Sequence, residues 1–514
     1  MKNIKSNILK IALFATGLSG IVAEYILSTL ATYFLGDSVF QWTMIVSVMM
    51  FSMGLGSQLS KYFRKNLLQV FIFIEFTLSV LVSFSSLLAY TISSYSNYTG
   101  FLIYFLSILI GLLIGLEIPI VIRLNKEFES LRVNISKVMA MDYFGSLAGG
   151  MFFAFIGLPY LGLTYTPFVL GFVNFAVAII LTIILWENIK TTSRKAISIS
   201  GIGIILLIVS GSILAKPVIL FGEQRKYKDK VVYTEQSKYQ RIVLTQWKND
   251  FWLYINGNQQ LSTKDEVMYH EPLVHPAMKL LKQPKEILIM GGGDGCVARE
   301  LLKYSSIEKI TLVDLDPAIT DLSKTHPVLS QLNENSLLDP KVMVINEDGF
   351  KFLDQTEAYY DAIIIDLPDP KTVELSRLYS YEFYMHCYRQ LRPHGVVVTQ
   401  AGSPYYAARA FKCIDLTMSE AGFTTIPLHN QVLTLGEWGF VLGVKNVEKE
   451  EIIKRLKSLH FNDIETQWIN NDAMQLITSF GKDIFDKDEA AVEVNRIHNP
   501  VLYHYYLKGD WDLY

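Results

Sequence analysis

Six aspartates in the second half of this 514-residue chain fall where short apolar runs end: Asp294, Asp314, Asp316, Asp348, Asp366 and Asp369. A carboxylate at such a point can grip a cation, hold a ribose diol, or take the proton of an attacking amine. Gathered in one crevice, they would favour a positively charged ligand. Asp294 stands inside a glycine turn at 291–295, the kind of turn that usually docks an anion on backbone N–H groups. That turn lacks the G-x-G-x-x-G spacing, and Asp294 would repel a pyrophosphate, so NAD is disfavoured. Asp314 ends the second run and suits a ribose. The set points to a nucleoside carrying positive charge, such as S-adenosylmethionine. Its decarboxylated form carries a sulfonium, an ammonium and no anion. Each aspartate taken singly has a plainer reading; Asp316, just before Pro317, can simply cap a helix.

Those positions need a scaffold. From residue 286, apolar strands ("EILIMGG", "KITLVDLD", "KVMVINED", "YDAIIIDLP", "GVVVTQA") alternate with helical stretches near 297–304, 317–324, 349–353, 380–391 and 405–420. The alternation predicts an α/β Rossmann-like, AdoMet-methyltransferase-type parallel-sheet domain over 286–445, with ligands at the carboxyl ends of its strands. A small β-strand domain is expected over 222–285, from "VVYTEQ", "RIVLTQ" and "FWLYING", with Asn256-Gly257 as a type I′ hairpin turn. Residues 446–514 form a C-terminal extension.

The first half differs in kind. Hydrophobic residues make up 51% of the chain and mean hydropathy is +0.28, and the apolar excess lies before residue 215. About seven candidate transmembrane helices fit there, at 8–30, 38–60, 67–92, 101–122, 139–158, 166–186 and 197–215. Residues 1–215 are thus expected to be a multi-pass α-helical membrane domain in contact with the lipid bilayer. Basic residues alternate between loops: Lys61, Arg64 and Lys65 follow the second span, Arg123, Lys126, Arg132 and Lys137 the fourth, Lys190, Arg194 and Lys195 the sixth. The positive-inside rule places these and the N-terminus in the cytoplasm. Seven spans would then leave the second half outside, yet Lys216, Arg225, Lys226, Lys228 and Lys230 near the last span favour inside. Glu24, Glu75, Glu117 and Asp142 lie in or at the edges of the spans, where carboxylates are costly and are candidates for function. "GLGS" (54–57) and "GSLAGG" (145–150) suit close helix packing.

Composition excludes several classes. A formal net charge of -3 gives no general attraction to nucleic acid. Of the three cysteines, Cys296, Cys387 and Cys413, none forms a CxxC pair, so neither a disulfide framework nor a cysteine zinc site is expected.

Between 233 and 440 the residues resemble one family, the polyamine aminopropyltransferases, of which spermidine synthase is the best known. "SKYQRIVL" (237–244) looks like its S-x-Y-Q strand, and "LYINGNQQLSTKDEVMYHEPLVHPAM" (253–278) is similar to its L-x-L-D-G…D-E-x-x-Y-H-E segment. "ILIMGGGDG", "LVDLDP", "NEDGF" and "IIIDLPDP" resemble its I-G-G-G-D-G, V-E-I-D-P, D-G and D-x-x-D-P motifs. A membrane-spanning first half resembles a bacterial subgroup. The resemblance implies aminopropyl transfer from decarboxylated S-adenosylmethionine, a co-substrate, to putrescine, with no cofactor and no metal. It implies that Asp366 accepts the proton, and that Gln240, Asp314, Asp348 and Gly349 bind the donor nucleoside. Tyr269, His270, Asp294 and Asp369 would hold the polyamine. It also implies a homodimer or homotetramer. Because the donor is a charged cytosolic metabolite, the catalytic domain is expected on the cytoplasmic side of the cell membrane.

Several positions depart from the pattern, among them the run after Pro370, "KTVELSRLY", where the family usually has a proline that touches the nucleoside. The L-D-G is Ile255-Asn256-Gly257, the D-S-S-D-P is Asp366-Leu367-Pro368-Asp369-Pro370, and a tyrosine near the end of the match is Leu433. Two other readings remain open: an AdoMet-dependent methyltransferase, and a non-catalytic polyamine-binding or transport membrane protein.

Overall fold

The computed structural model describes residues 2–36, 38–96, 98–126, 128–481 and 491–511. The chain divides into two compact units, Met1–Val231 and Val232–Tyr514.

The first unit is helical: α1 (Lys2–Leu35), α2 (Ser38–Leu59), α3 (Leu67–Tyr95), α4 (Thr99–Asn125), α5 (Leu131–Phe152), α6 (Gly162–Ile184) and α7 (Thr191–Lys226). By length and apolar composition, 6 of its helical stretches are candidate membrane spans among the described residues, the fifth being Leu131–Ile184 with 54 residues. That stretch holds α5 and α6, joined by π-helical turns over Phe153–Leu161. It folds back on itself at Gly162, whose φ is +60°. Thr166 Oγ1 donates to the Gly157 carbonyl at 2.8 Å, whereas a straight helix would hold residues nine apart at roughly 13 Å. The last helix extends to Lys226, past the expected end at 215, because Lys216 is tolerated within an otherwise apolar run.

Small residues set the packing. Gly56 lies against the backbone of Leu112, and Gly145 and Gly149 against Phe14 and Leu18, so both glycine motifs contribute to close approach of helices. A Cβ on Gly145 would stand 2.0 Å from the Phe14 carbonyl oxygen. Gly145→Val should therefore destabilise the helical unit by about 1–3 kcal/mol or more. The check is the melting temperature of detergent-solubilised protein; an unchanged value would refute the close α1–α5 contact.

Ring and glycine contacts give the helix directions. Phe84 meets Phe168 and Phe76 meets Phe175, so α3 and α6 are antiparallel. Gly201, Gly211 and Gly222 of α7 follow Phe76, Phe84 and Tyr90 of α3 in order, so those two are parallel. Lys5, near the start of α1, reaches Asn188 at 2.9 Å. At the other end of the same helix, Tyr33 hydrogen bonds Glu223 and lies under the Lys226 ammonium at 3.9 Å. The chain thus enters the helical unit at one face and leaves α7 at the opposite face.

The second unit opens with an antiparallel sheet, β1 (Lys230–Gln236), β2 (Arg241–Trp247), β3 (Asp250–Ile255) and β4 (Asn258–Ser262), paired in that order. Asn256 (φ 50°) and Gly257 (φ 80°) make the β3–β4 turn with both central residues left-handed, as a type I′ turn requires. After α8 (Val267–Lys279) come β5 (Glu286–Gly291), α9 (Cys296–Leu302), β6 (Lys309–Asp314) and α10 (Pro317–Thr325). Strands β7 (Val342–Asn346), β8 (Tyr360–Asp366), β9 (Leu391–Gly402), β10 (Thr424–Val432) and β11 (Gly436–Val444) complete a seven-stranded sheet. Its order is β10-β11-β9-β8-β5-β6-β7. Strands β7, β6, β5, β8 and β9 are parallel. The β10–β11 hairpin, which alternation with helices did not predict, adds antiparallel to β9.

Alternate residues of the parallel strands feed two cores. Ile287, Ile289, Leu312 and Ile364 face one; Leu288, Met290, Val313 and Ile365 face the other. Burial on both faces explains why these strands read as unbroken apolar runs. The small sheet packs Ile242, Leu244 and Leu253 on Ile319 and Leu322 of α10. The C-terminal extension is part of this unit: Ile469, Met474 and Ile477 join the first core, Leu502 and Tyr506 the second.

Candidate active site

The chain leaves β5 in one direction toward β6 and β7, and returns on the other side through β8 and β9. The carboxyl ends of β5 and β8 therefore flank the switch point where such sheets bind ligands. A cavity of about 250 Å³ opens there, and Gln240, Tyr269, His270, Asp294, Asp314, Asp348, Gly349, Asp366 and Asp369 all line it. All nine residues singled out from the sequence thus meet in one place.

The glycine turn makes the convergence sterically feasible. Gly291, at the end of β5, has φ +80°, and a Cβ there would lie 2.1 Å from the Asp366 carbonyl oxygen. Gly292 N donates to that same oxygen at 3.0 Å. A Cβ on Gly293 would lie 2.6 Å from Asp314 Oδ2. Only glycine lets the turn lie this close to both acids. Asp294 Oδ1 accepts from Cys296 N at 2.7 Å. The N–H that could have held a phosphate at the start of α9 is satisfied by the protein's own carboxylate.

Asp366 is held from two sides. Tyr269 OH donates to its Oδ1 at 2.7 Å, and His270 Nε2 lies 3.9 Å from its Oδ2 and 4.0 Å from Asp294 Oδ1. Burial pushes the Asp366 carboxyl up to about 6 and the Asp294 charge adds to this, while His270 and Tyr269 pull it down. Burial opposes a charge on His270. The hydrogen bond to Glu266 and the charges of Asp294 and Asp366 outweigh that and carry it up to about 9. His270 Nδ1 lies 2.7 Å from Glu266 Oε2. Arg299 grips Glu266 with two bonds, Nη1 to Oε1 at 2.8 Å and Nη2 to Oε2 at 3.0 Å. A buried row of alternating charge, Arg299–Glu266–His270, thus ends on the two aspartates. Position 266 follows Asp265 and precedes the tyrosine-histidine pair, but no sequence spacing links it to 299.

Asp314 Oδ1 accepts from Asp316 N at 2.9 Å, and burial lifts its carboxyl to about 6 despite that bond. Asp316 does cap α10, accepting from Ala318 N at 3.0 Å. Its other oxygen takes the Ser237 hydroxyl at 2.6 Å, tying the β1–β2 turn to the end of β6 and setting Gln240 at the cavity. Asp348 caps the helix Gly349–Gln355 through Lys351 N at 3.1 Å and pairs with Arg377.

The loop after Asp366 is anchored despite its unusual Leu367-Pro368. Tyr379 OH donates to both carbonyls, at 3.2 and 3.1 Å, and Gln400 Nε2 to that of Leu367 at 2.8 Å. Asp369 receives the hydroxyl of Tyr506 at 2.7 Å, and Lys371 Nζ stands 3.5 Å away. Leu433 is 63% exposed and does not line the cavity; Leu435 and Trp438 of that segment do. Sequence reasoning missed Tyr506, 137 residues from its partner, and its only signal was an aromatic-rich end, "YHYYLKGDW".

The chain is similar to several known proteins. A family model described as spermine/spermidine synthase domain matches residues 266–457. Polyamine aminopropyltransferase 2 of Aquifex aeolicus (strain VF5) is 40% identical over 508 residues, 98% of this chain and 99% of its own. The polyamine aminopropyltransferase of Leptospira interrogans serogroup Icterohaemorrhagiae serovar copenhageni is 37% identical over 489 residues, 95% of each chain. A solved spermidine synthase in complex with the transition state analogue AdoDATO is 27% identical, with TM-score 0.46, covering 50% of this chain and 87% of that one. At 40% and 37% identity to the two aminopropyltransferases over nearly the whole length, the chain belongs to the polyamine aminopropyltransferase family of enzymes.

Proposed function

We propose that the chain transfers the aminopropyl group of decarboxylated S-adenosylmethionine to putrescine, giving spermidine and 5′-methylthioadenosine. The observation that carries this reading is Asp366, a buried carboxylate braced by Tyr269 and His270 between two further acids. The amine nitrogen attacks the carbon beside the sulfonium, the carbon–sulfur bond breaks toward sulfur, and the amine's proton passes to Asp366. A free alkylammonium loses its proton only near pH 10, so a positioned base is required. Asp314 suits the ribose diol, Gln240, Asp348 and Gly349 the rest of the nucleoside, and Asp294 the aminopropyl ammonium. Asp369 suits the far ammonium of the diamine, with Tyr269 and His270 walling the channel. Holding two cations in line against their repulsion is the main work of these acids.

No metal or cofactor enters this scheme. The reading is tested with detergent-purified protein, decarboxylated S-adenosylmethionine and a panel of amines. Methylthioadenosine and spermidine forming with putrescine support it. Turnover with S-adenosylmethionine as methyl donor instead, or no turnover despite donor binding, would sink it.

Tyr506→Phe removes a hydrogen bond to a charged acceptor, worth roughly 1.5–3 kcal/mol. The expected result is a KM for putrescine raised about tenfold or more, with the donor KM unchanged. Equal losses for both substrates would remove Tyr506 from the acceptor end.

The helical unit is proposed to lie in the cell membrane as a multi-pass anchor, with the catalytic unit cytoplasmic and the protein a homodimer or homotetramer. The membrane-impermeant donor is the reason for that sidedness. The opposite-face exit of α7, combined with the basic loops, favours the reverse. Protease digestion of intact spheroplasts decides between them: protection of the catalytic unit supports the cytoplasmic reading, and cleavage overturns it.

A further inference from the structure

The helical unit holds carboxyls that the transfer reaction does not use. Glu75 of α3 is fully buried, and neither of its oxygens has a hydrogen-bond partner among the described residues. Glu117 of α4 is 1% exposed, and its Oε1 is likewise unpartnered. The two carboxyls act on each other electrostatically. Glu117 in turn feels the charge of Asp142 of α5 and lies beside Thr16 of α1, whose hydroxyl donates to the Leu13 carbonyl at 3.3 Å. The residue after Thr16 touches that aspartate: a Cβ on Gly17 would stand 2.9 Å from Asp142 Oδ1. Asp142 and Glu117 thus lie at one turn of α1, and Glu75 acts on Glu117 from α3. Asp142 is partly exposed, and burial is complete at Glu117 and Glu75. Glu75 lies eight residues into α3, about 12 Å along its axis.

Among the described residues, no positive charge acts on the pair. The charged groups acting on Glu75 and Glu117 are each other and Asp142. From α6, Phe175 stacks on Phe76, which brings the neutral Asn174 to this level, and its Oδ1 is also unpartnered. From α7, Gly201 faces Phe76 in an uncharged stretch, "AISISGIGIILL". Lys10 of α1 is committed to Glu129 at 2.5 Å. Two ionised carboxylates facing each other in an apolar bundle carry both the desolvation cost and mutual repulsion. The arrangement is stable when a proton is held between them.

We propose that Asp142, Glu117 and Glu75 form a proton-binding relay inside the helical unit. Asp142 is its accessible end and the Glu75–Glu117 pair the buried holding site. Transfer along it breaks one carboxyl O–H bond as the next forms.

The test uses the full chain in native membranes, treated with dicyclohexylcarbodiimide, which couples to protonated carboxyls in apolar surroundings. Modified peptides are read by mass spectrometry. Labelling is expected at Glu75 or Glu117 near neutral pH, falling about tenfold per pH unit once the site's own pKa is passed. Glu117→Gln should shift the Glu75 profile to lower pH, because the acid that shares its proton is gone. Methylthioadenosine formation, in which neither residue takes part, reports that the variants are folded. A second readout covers poor reagent access: the carbonyl stretch of a protonated carboxyl in the infrared spectrum, removed by Glu75→Gln. Absence of that band in the unaltered chain overturns the proposal. So does suppression of labelling by millimolar putrescine or spermidine, which would make an alkylammonium the ligand instead of a proton.

Discussion

Asp366→Asn should lower aminopropyl transfer by about 10²–10⁴-fold, the usual worth of a positioned general base. Donor affinity should hardly change, since Asp366 is assigned to the attacking amine. Asparagine keeps the volume and can still face Tyr269, so loss of fold is not the expected cause. The pH profile gives a second signature. The Asp366 carboxyl is raised to about 6, mainly by burial, and it works only when ionised. Turnover of the unaltered chain should therefore fall as pH drops through about 6, and that acidic limb should vanish from the residual activity of Asp366→Asn. Single-turnover measurements of methylthioadenosine formation across pH 5 to 8 check both points. Activity within a few-fold of the unaltered chain would remove Asp366 as the base.

Arg299→Leu should be the most damaging single change to the second unit. Arg299 is 5% exposed, and it holds Glu266 with two bonds, Glu300 at 2.8 Å through Nε, and the Leu332 carbonyl at 2.7 Å. Without it, the carboxylates of Glu266 and Glu300 stay buried with less compensation, at a cost of about 3–5 kcal/mol. A fall in melting temperature on the order of 10 °C is expected. His270 adds a pH dependence. Its folded value of about 9 lies above the ordinary 6.5. The stability it contributes is complete below about 6.5 and is lost as pH rises through about 9. Thermal melts at pH 6.5 and 9.5 should show the unaltered chain losing stability at the higher value. A variant as stable as the parent would show that the row of charges is dispensable.

The answer to the aspartate in the anion-binding turn is twofold. Asp294 fills the start of α9 with its own Oδ1, and it sits near enough to Asp366 to raise that carboxyl. Both effects make the turn a poor cradle for a phosphate and leave a carboxylate lining the cavity.

Much of this was legible locally. Continuous apolar strands must be buried on both faces, so the parallel sheet and the placement of the acids at strand ends followed from residue pattern alone. The Asn256-Gly257 turn and the Asp316 cap are likewise decided by neighbours in sequence. The apolar runs of the first half and its glycine motifs depend only on length, composition and side-chain size. Other features depend on pairs far apart in the chain, and no periodicity records those. Strand order alone brings Gly291 beside Asp366. Only folding sets Arg299 on Glu266, 33 residues away, and Tyr506 on Asp369. Only the turn at Gly162 separates α5 from α6 and carries the end of α7 to the face opposite the N-terminus. Hydrophobic patterning is a property of one segment, whereas charge pairing and helix direction are properties of two segments meeting. The sequence could therefore name the acids, and the tertiary structure decided what surrounds them and how strongly each holds its proton.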